Sequence, residues 1–194
     1  MCGIIGITGR PDAVEEIMAG LGRLEYRGYD SAGIVAASGG TLRVVKRSGK
    51  LENLRSALDG QGLAASTGLG HTRWATHGAP NDRNAHPHLG PQGRVAVIHN
   101  GIIENYEALK RTLSERTYGS DTDTEVVAHL LEEAYVDGAD FFEAFRSVVA
   151  KLDGAFALCA MALDLPGEFV VAKRDSPPLI LGHENGVGYC ASDP

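Results

Sequence analysis

The sequence of 194 residues has few cysteines, no long apolar run and no cluster of basic side chains. Its three cysteines are too few for a disulfide framework, which favours a reducing, cytoplasmic setting. The longest strictly apolar run, at 155–163, is far shorter than the roughly 20 residues of a membrane-spanning helix. With 25 acidic and 18 basic side chains, the formal charge is -7. We therefore expect neither a membrane nor a nucleic acid as a partner.

Glycine is plentiful instead, at 25 of 194 residues, or about 13% against a usual value of roughly 7%. Such an excess indicates many tight turns, or backbone that is held close to a ligand. Blocks of strand-forming residues at both ends bracket a middle with helical periodicity, and the sequence shows no linker or internal repeat. These patterns predict one α+β domain that spans residues 2–194.

Local patterns predict the individual elements. The apolar start predicts a buried strand at 2–7, and apolar residues at helical spacing predict a helix that ends near Gly28. A hairpin is predicted with its turn at 38–40. Residues 71–93 show little periodicity and are predicted to be mostly a long ordered loop. The other predicted elements are helices at 51–58, 106–116, 124–136 and 141–152, and strands at 94–98, 155–163, 168–172, 179–181 and 187–191.

Histidine is concentrated in one segment, where five of the seven histidines fall within 29 residues. These five are His71, His77, His86, His88 and His99. The segment also contains Trp74, the only tryptophan, and this concentration of polar residues in a loop indicates a functional site. Zinc ligands usually lie one turn or one tight loop apart, whereas the first spacings here are six, nine and two with no acidic partner. We expect no metal, and histidines bonded to backbone are the plainer alternative.

Cys2 follows the initiator methionine directly, so removal of Met1 would place a thiol and a free α-amine on one residue. The amine has an ordinary pKa of about 7.7 to 8.0, and the thiol about 8.5. The amine could therefore act as general base for the thiol of its own residue. With Met1 attached, the Cys2 nitrogen is an amide and this role is lost. Alternatively, Cys2 is simply the start of a buried strand.

A thiol that attacks amides needs donors for the oxyanion that forms. The side-chain amide of Asn100 and the N–H of Gly101 could supply them, although Asn-Gly is also typical of a hairpin turn. Thr122 and Glu125 have the spacing of a capping box at a helix start. A carboxylate held there, Asp123, could also receive a substrate ammonium.

Six blocks of the sequence, in this order, resemble the glutaminase domain of glutamine-fructose-6-phosphate aminotransferases. The blocks are CGIIG at 2–6, EYRGYDSAG at 25–33, HTRWATHG at 71–78, NAHPH at 84–88, HNGIIEN at 99–105 and TDTE at 122–125. The resemblance spans essentially the whole chain. It implies a four-layer αββα N-terminal nucleophile hydrolase fold, with Cys2 at the head of a central strand and no cofactor.

The resemblance also implies roles for single residues. Cys2 would attack the side-chain amide of L-glutamine and form a γ-glutamyl thioester, while Asn100 and Gly101 would hold the oxyanion. Arg27 would support the nucleophile end, and Trp74 would belong to a loop that closes over the site. The implied contacts of the substrate α-carboxylate and α-ammonium are Arg73, helped by Thr76 and His77, and Asp123 with the Gly101 carbonyl.

In this family the released ammonia converts fructose 6-phosphate to glucosamine 6-phosphate in sugar isomerase domains, and the full-length enzyme is expected to be a homodimer. The sequence printed here stops at Pro194 and resembles the glutaminase part alone. Two other classes remain open on the residues themselves. One is a metal hydrolase built on the histidine segment, and the other is a module that binds glutamine without turning it over.

Overall fold

The computed structural model describes residues 2–75, 78–113, 116–136 and 139–194. Its strands are β1 (Gly3–Thr8), β2 (Ser31–Ser38), β3 (Thr41–Ser48), β4 (Thr67–Arg73), β5 (His88–Leu89), β6 (Val95–Gly101), β7 (Phe156–Ala162), β8 (Val170–Arg174), β9 (Ile180–Glu184) and β10 (Val187–Ala191). The α-helices are α1 (Ala13–Leu24), α2 (Leu51–Leu58), α3 (Tyr106–Thr112), α4 (Thr124–Ala134) and α5 (Phe141–Val149). Short 3-10 turns occupy Glu25–Arg27 and Asp82–Asn84.

The strands pair into two antiparallel sheets. One sheet has the order β3-β2-β4-β1-β10-β9, which places β1 near its centre, and the other has the order β5-β6-β7-β8. In the first sheet, β1 pairs with β4 in a register that sets Gly3 opposite Thr72 and Ile4 opposite His71. The start of β1 and the end of β4 therefore lie side by side at the same end of the strands of this sheet.

Apolar side chains form three separate layers of core. One group lies between the two sheets and includes Ile4, Leu69 and Ile98. A second group packs α1 and α2 on the outer face of the six-stranded sheet, and a third packs α3, α4 and α5 on the outer face of the four-stranded sheet. The order of layers is helix, sheet, sheet, helix, so the predicted α+β class and αββα layering are confirmed.

The last three residues of β4, at 71–73, lie inside the segment that was predicted to be mostly loop. The prediction was wrong for His71–Arg73 and for His88–Leu89, which belong to strands. Every residue of β4 is buried, yet the strand lacks an apolar pattern because glycines occupy its helix-facing positions. A Cβ on Gly70 would lie 2.3 Å from Ile17 Cγ2, and one on Gly68 would lie 2.9 Å from the Val35 carbonyl oxygen. Helix α1 packs where side chains would otherwise stand.

Most of the remaining elements match their predicted positions. The helix at 51–58 and the strand at 187–191 have the predicted bounds, and the hairpin turn contains Gly39 and Gly40 at positive φ. Helix α3 ends at Thr112 rather than at 116, and residues 114–115 of the predicted helix lie outside the described residues. Within the described ranges, no helix is both long and apolar enough to span a bilayer.

Candidate active site

Three strands change from apolar to polar side chains at the same end of the layer between the sheets. Side chains alternate between the two faces of a strand, so residues two positions apart share a face. Ile4, Leu69 and Ile98 pack together between the sheets. Two positions further along the same faces, the chain carries Cys2, His71 and Asn100. The apolar layer therefore ends in a polar one.

Cys2 lies against the backbone of Trp74. The Trp74 N–H donates to Cys2 Sγ at 3.2 Å, and the thiol donates to the Trp74 carbonyl oxygen at 3.6 Å. Burial raises the pKa of the Cys2 thiol, and the backbone hydrogen bond from Trp74 opposes that effect in part. The thiol is therefore protonated at neutral pH, and using it as a nucleophile requires a base.

Asn100 and Gly101 lie within β6, so Asn-Gly does not close a hairpin here, and that alternative is wrong. The Asn100 Nδ2 donates to the Cys2 carbonyl oxygen at 3.0 Å, which joins the second sheet to the residue that carries the thiol. Gly101 has a φ of 116°, and a Cβ there would lie 2.1 Å from the Ala155 carbonyl oxygen. Any other residue would push β6 away from the strand that follows Ala155.

Arg73 ends β4 and is nearly fully buried, although a guanidinium is costly to remove from water. Its Nη2 donates to the Gly78 carbonyl oxygen at 3.3 Å. Asp30 stabilises the backbone of Arg73, because the Asp30 N–H donates to the Arg73 carbonyl oxygen at 3.2 Å. The Asp30 carboxylate accepts from the Ala75 N–H. Trp74, between these two points, exposes 48% of its surface.

Asp123 stands at the N-terminus of α4, where its carboxylate accepts from the Ile103 N–H at 2.8 Å. The predicted capping box is wrong, because Glu125 instead accepts from the backbone N–H groups of Gly119 and Ser120. Burial raises the pKa of Glu125, but hydrogen bonds from His129, Ser120 and these amides outweigh that effect and lower the pKa to about 2. The charged Glu125 fixes the loop that leads into Asp123.

Arg27 connects the 3-10 turn after α1 to the chain beyond β10. Its Nη1 donates to the Ser192 carbonyl oxygen at 3.3 Å and lies 3.4 Å from Asp193 Oδ2. Ser192 in turn accepts from the Ile4 N–H through its hydroxyl oxygen at 3.0 Å and donates its own N–H to the Ile4 carbonyl oxygen. These contacts hold the residues next to Cys2 from both sides.

Four of the clustered histidines are buried, namely His71, His86, His88 and His99. Thr124 Oγ1 lies 2.9 Å from both His86 Nε2 and His99 Nδ1, so one hydroxyl joins two rings to α4. Burial lowers the pKa of His71 to about 3, and burial also lowers the pKa of His86 and of His88. Among the residues that the structure describes, no group of three or more His, Cys, Asp or Glu side chains is arranged to hold a metal ion.

A cavity of about 310 Å³ lies over the polar end of these strands. Seven of the predicted site residues line it, namely Cys2, Arg27, Arg73, Trp74, Asn100, Gly101 and Asp123. The other two, Thr76 and His77, lie outside the described residues. The volume falls in the lower part of the usual range for small-molecule sites, about 300 to 1,000 Å³. A cation from β4 and an anion from α4 therefore border one small cavity together with a thiol.

The cavity wall also contains residues for which no role was predicted. Ser192 and the segment Ser176, Pro177 and Pro178 come from the far end of the chain, where no motif marks them. His71 was noticed as a histidine but not as a neighbour of Asn100. The position of His71 could have been predicted from the sequence, because Leu69, His71 and Arg73 occupy alternate positions and therefore share one strand face.

Two central antiparallel sheets between helices, with a thiol at the head of an inner strand, define an N-terminal nucleophile hydrolase. The solved glutamine phosphoribosylpyrophosphate amidotransferase from B. subtilis has this architecture, with a TM-score of 0.84 over 98% of this chain and 42% of that one, at 27% identity. A class-II glutamine aminotransferase domain protein from Silicibacter pomeroyi, at 15% identity and a TM-score of 0.60, shares the fold.

The chain belongs to the glutamine amidotransferase domain family, whose model matches residues 71–194. Curated relatives named glutamine-fructose-6-phosphate aminotransferase [isomerizing] match over the full chain. The relative from Streptomyces coelicolor is 55% identical, and that from Mycobacterium tuberculosis is 49% identical. The chain spans 32% of the length of these relatives. The resemblance and the fold class inferred from the sequence are both confirmed.

Proposed function

We propose that this chain is the glutaminase domain, at residues 2–194, of a glucosamine-6-phosphate synthase and hydrolyses L-glutamine to glutamate and ammonia. The observation that carries the proposal is the convergence of Cys2, Asn100, Arg73 and Asp123 on one cavity. Relatives that share up to 55% identity carry the name of an aminotransferase that uses glutamine.

The charges at the cavity fit a zwitterionic substrate. Glutamine presents an α-carboxylate and an α-ammonium, so its selection requires one fixed cation and one fixed anion. The Arg73 guanidinium can bind the carboxylate with two hydrogen bonds, and the Asp123 carboxylate, held by the Ile103 N–H, can accept from the ammonium. Thr76 and His77 are proposed to assist Arg73, and the Gly101 carbonyl to assist Asp123. Trp74 is proposed to close over the bound substrate.

The reaction is proposed to begin when Cys2 Sγ attacks the side-chain carbonyl carbon of glutamine. A base must take the thiol proton because burial raises the pKa of the Cys2 thiol. The α-amine of Cys2, freed when Met1 is removed, is the group that we assign to this step. The new S–C bond turns the carbonyl oxygen into an oxyanion, which Asn100 Nδ2 and the Gly101 N–H stabilise.

The intermediate collapses as the C–N bond breaks. The leaving nitrogen takes the proton held by the α-amine and departs as ammonia, which leaves a γ-glutamyl thioester on Cys2. Water, deprotonated by the same amine, then attacks the thioester, the S–C bond breaks, and glutamate and the free thiol are released. In the whole protein, we assign the ammonia to sugar isomerase domains that aminate fructose 6-phosphate, in a cytoplasmic homodimer.

Ammonia release from L-glutamine by the purified chain tests the proposal, with intact mass spectrometry to establish that Met1 is absent. We expect Cys2→Ala to abolish turnover and a glutamine-analogue electrophile to add once, at Cys2. Cys159→Ala removes a buried thiol from the layer between the sheets and is the matched control, with activity near that of wild type. Undiminished turnover by Cys2→Ala would overturn the proposal.

Two measurements separate the other classes. A metal hydrolase would lose activity with chelators and contain stoichiometric metal by elemental analysis. A sensing module would bind glutamine without releasing ammonia even when the mass shows that Met1 is absent.

A further inference from the structure

The side-chain amide of Asn100 has two ends of nearly equal size and opposite function. Its NH₂ group can donate to an oxyanion, whereas its carbonyl oxygen would repel one. A rotation of 180° about the Cβ–Cγ bond exchanges the two ends with little change in shape. Catalysis by Asn100 therefore requires a neighbour that selects one orientation.

His71 makes that selection geometrically. Its Nε2 lies 3.0 Å from Asn100 Oδ1 and 2.9 Å from the His99 backbone carbonyl oxygen. A backbone carbonyl can only accept, so Nε2 must carry the proton and act as donor. A donor at this position pairs with the oxygen end of Asn100 and excludes its NH₂ end. Asn100 Nδ2 is thereby turned to the opposite side, where one of its hydrogens reaches the Cys2 carbonyl oxygen.

The surroundings of His71 keep this donor in place. The side chain is fully buried, and its ring centroid lies 4.3 Å from that of His86. Desolvation lowers the pKa of His71 to about 3, with smaller opposing effects of the hydrogen bonds to Asn100 and to the His99 carbonyl. The imidazole is therefore neutral throughout the physiological range, so the donor is a neutral N–H with a fixed tautomer.

We infer that His71 is a positioning residue that locks the Asn100 amide with its NH₂ group toward the reacting thiol. The inference rests on the proposed function of the cavity. His71 touches neither the thiol nor, in the proposed reaction, the substrate. Its effect on catalysis is assigned to its contact with Asn100.

The test compares His71→Leu, which removes the donor, with His71→Gln, whose side-chain amide can place an N–H close to the position of Nε2. We expect His71→Leu to lower kcat by on the order of tenfold or more, bounded by the roughly 10² to 10³-fold cost of deleting an oxyanion donor. KM for glutamine should change little, because Arg73 and Asp123 are untouched. His71→Gln should recover much of the lost kcat.

A double-mutant cycle separates positioning from general damage. If His71 acts through Asn100, then His71→Leu should cost little further kcat in an Asn100→Ala background. Losses that multiply in the double variant would overturn the inference, and so would a His71→Leu enzyme with wild-type kcat. His183→Gln is the control, since it makes the same change at an exposed histidine of β9 that lies outside the cavity wall.

One readout does not depend on turnover. In ¹⁵N NMR of the imidazoles of the wild-type chain, His71 should show a protonated Nε2 and an unprotonated Nδ1 from pH 5 to pH 8. An unprotonated Nε2 would overturn the inference even if His71→Leu fails to fold. If mature wild-type protein releases no ammonia, the proposed function fails, whereas the tautomer still tests the lock.

Discussion

The inner faces of β1, β4 and β6 differ sharply between their middles and their ends. In the middle, Ile4, Leu69 and Ile98 are buried against one another between the sheets. Two residues further on, Cys2, His71 and Asn100 occupy the same faces and are linked by polar contacts. The boundary between dry core and candidate active site is a single step of strand alternation.

This difference shows how the fold can hold reactive polar groups in fixed positions. The apolar side chains fix the spacing of the two sheets, and the polar side chains inherit that spacing because they extend from the same strands. Each buried polar group must then find a partner, since an unpaired one costs about 1 to 3 kcal/mol. The two regions should respond differently to acid, to loss of a donor and to loss of a methyl group.

The largest expected effect is that of acid on the polar region. His71, His86 and His88 have lowered pKa values in the fold, whereas the unfolded chain takes up protons below about pH 6.5. The stability that these neutral histidines contribute is therefore fully present above about pH 6.5 and is lost progressively as the pH falls below that value. Each such histidine contributes a slope of about 1.4 kcal/mol per pH unit, or about 4 kcal/mol for three. Urea unfolding at pH 7, 6 and 5 measures the slope.

In the apolar region, burial raises the pKa of the Cys159 thiol, so this group does not oppose the effect. Glu125, with a pKa of about 2, stays charged over the same range. His71→Gln should lower the slope by about one third, because one of three titrating groups is gone. A free energy of unfolding that is constant from pH 7 to pH 5 would contradict burial of neutral histidines.

The next effect is that of removing one donor at the end of β6. Asn100→Ala should lower kcat for glutamine by about 10² to 10³-fold, because the oxyanion loses its side-chain donor while the Gly101 N–H remains. Steady-state ammonia release measures it. Asn105→Ala is the matched control, since Asn105 bonds the Lys151 carbonyl and lies outside the cavity wall. A loss of a few fold would remove Asn100 from the proposed mechanism.

The smallest effect is expected two residues earlier on the same strand face. Ile98→Val deletes one buried methylene and should lower the free energy of unfolding by about 0.5 to 1.5 kcal/mol. Turnover per folded molecule should stay near wild type, because the strand backbone keeps its position. Chemical unfolding and ammonia release on the same preparation measure both quantities. A large loss of kcat would show that the boundary between the regions is less sharp than the strand alternation suggests.

Much of the architecture was accessible from local pattern. Helix α2 and strand β10 have their predicted bounds because the apolar periodicity and the flanking turn residues indicate the same ends. Strand β4 was missed, since glycines replace the apolar residues by which a buried strand is usually recognised. The helix start at Thr124 was placed correctly. The partner of Glu125 was not, because its contacts with Gly119 and Ser120 in the preceding loop replace the helix cap.

The candidate site was predictable to a different extent. Some of its residues were predicted from local chemistry and the others through resemblance, and the structure brings the described ones to one cavity. The orientation of Asn100 could not be read from spacing, because it depends on a contact between two sheets. The wall formed by Ser176, Pro177, Pro178 and Ser192 depends on where the last strands return, which no local signal encodes.

The glycines of β4 have a consequence for the tolerance of that strand to mutation. On its outer face, Gly68 and Gly70 leave no room for a methyl group beneath α1. On its inner face, His71 and Arg73 supply hydrogen bonds that other side chains of similar size would not reproduce. Substitution is thus penalised on one side by volume and on the other by chemistry. Saturation mutagenesis should therefore show that almost every position of β4 tolerates little substitution, although Leu69 is the one large apolar residue in its sequence.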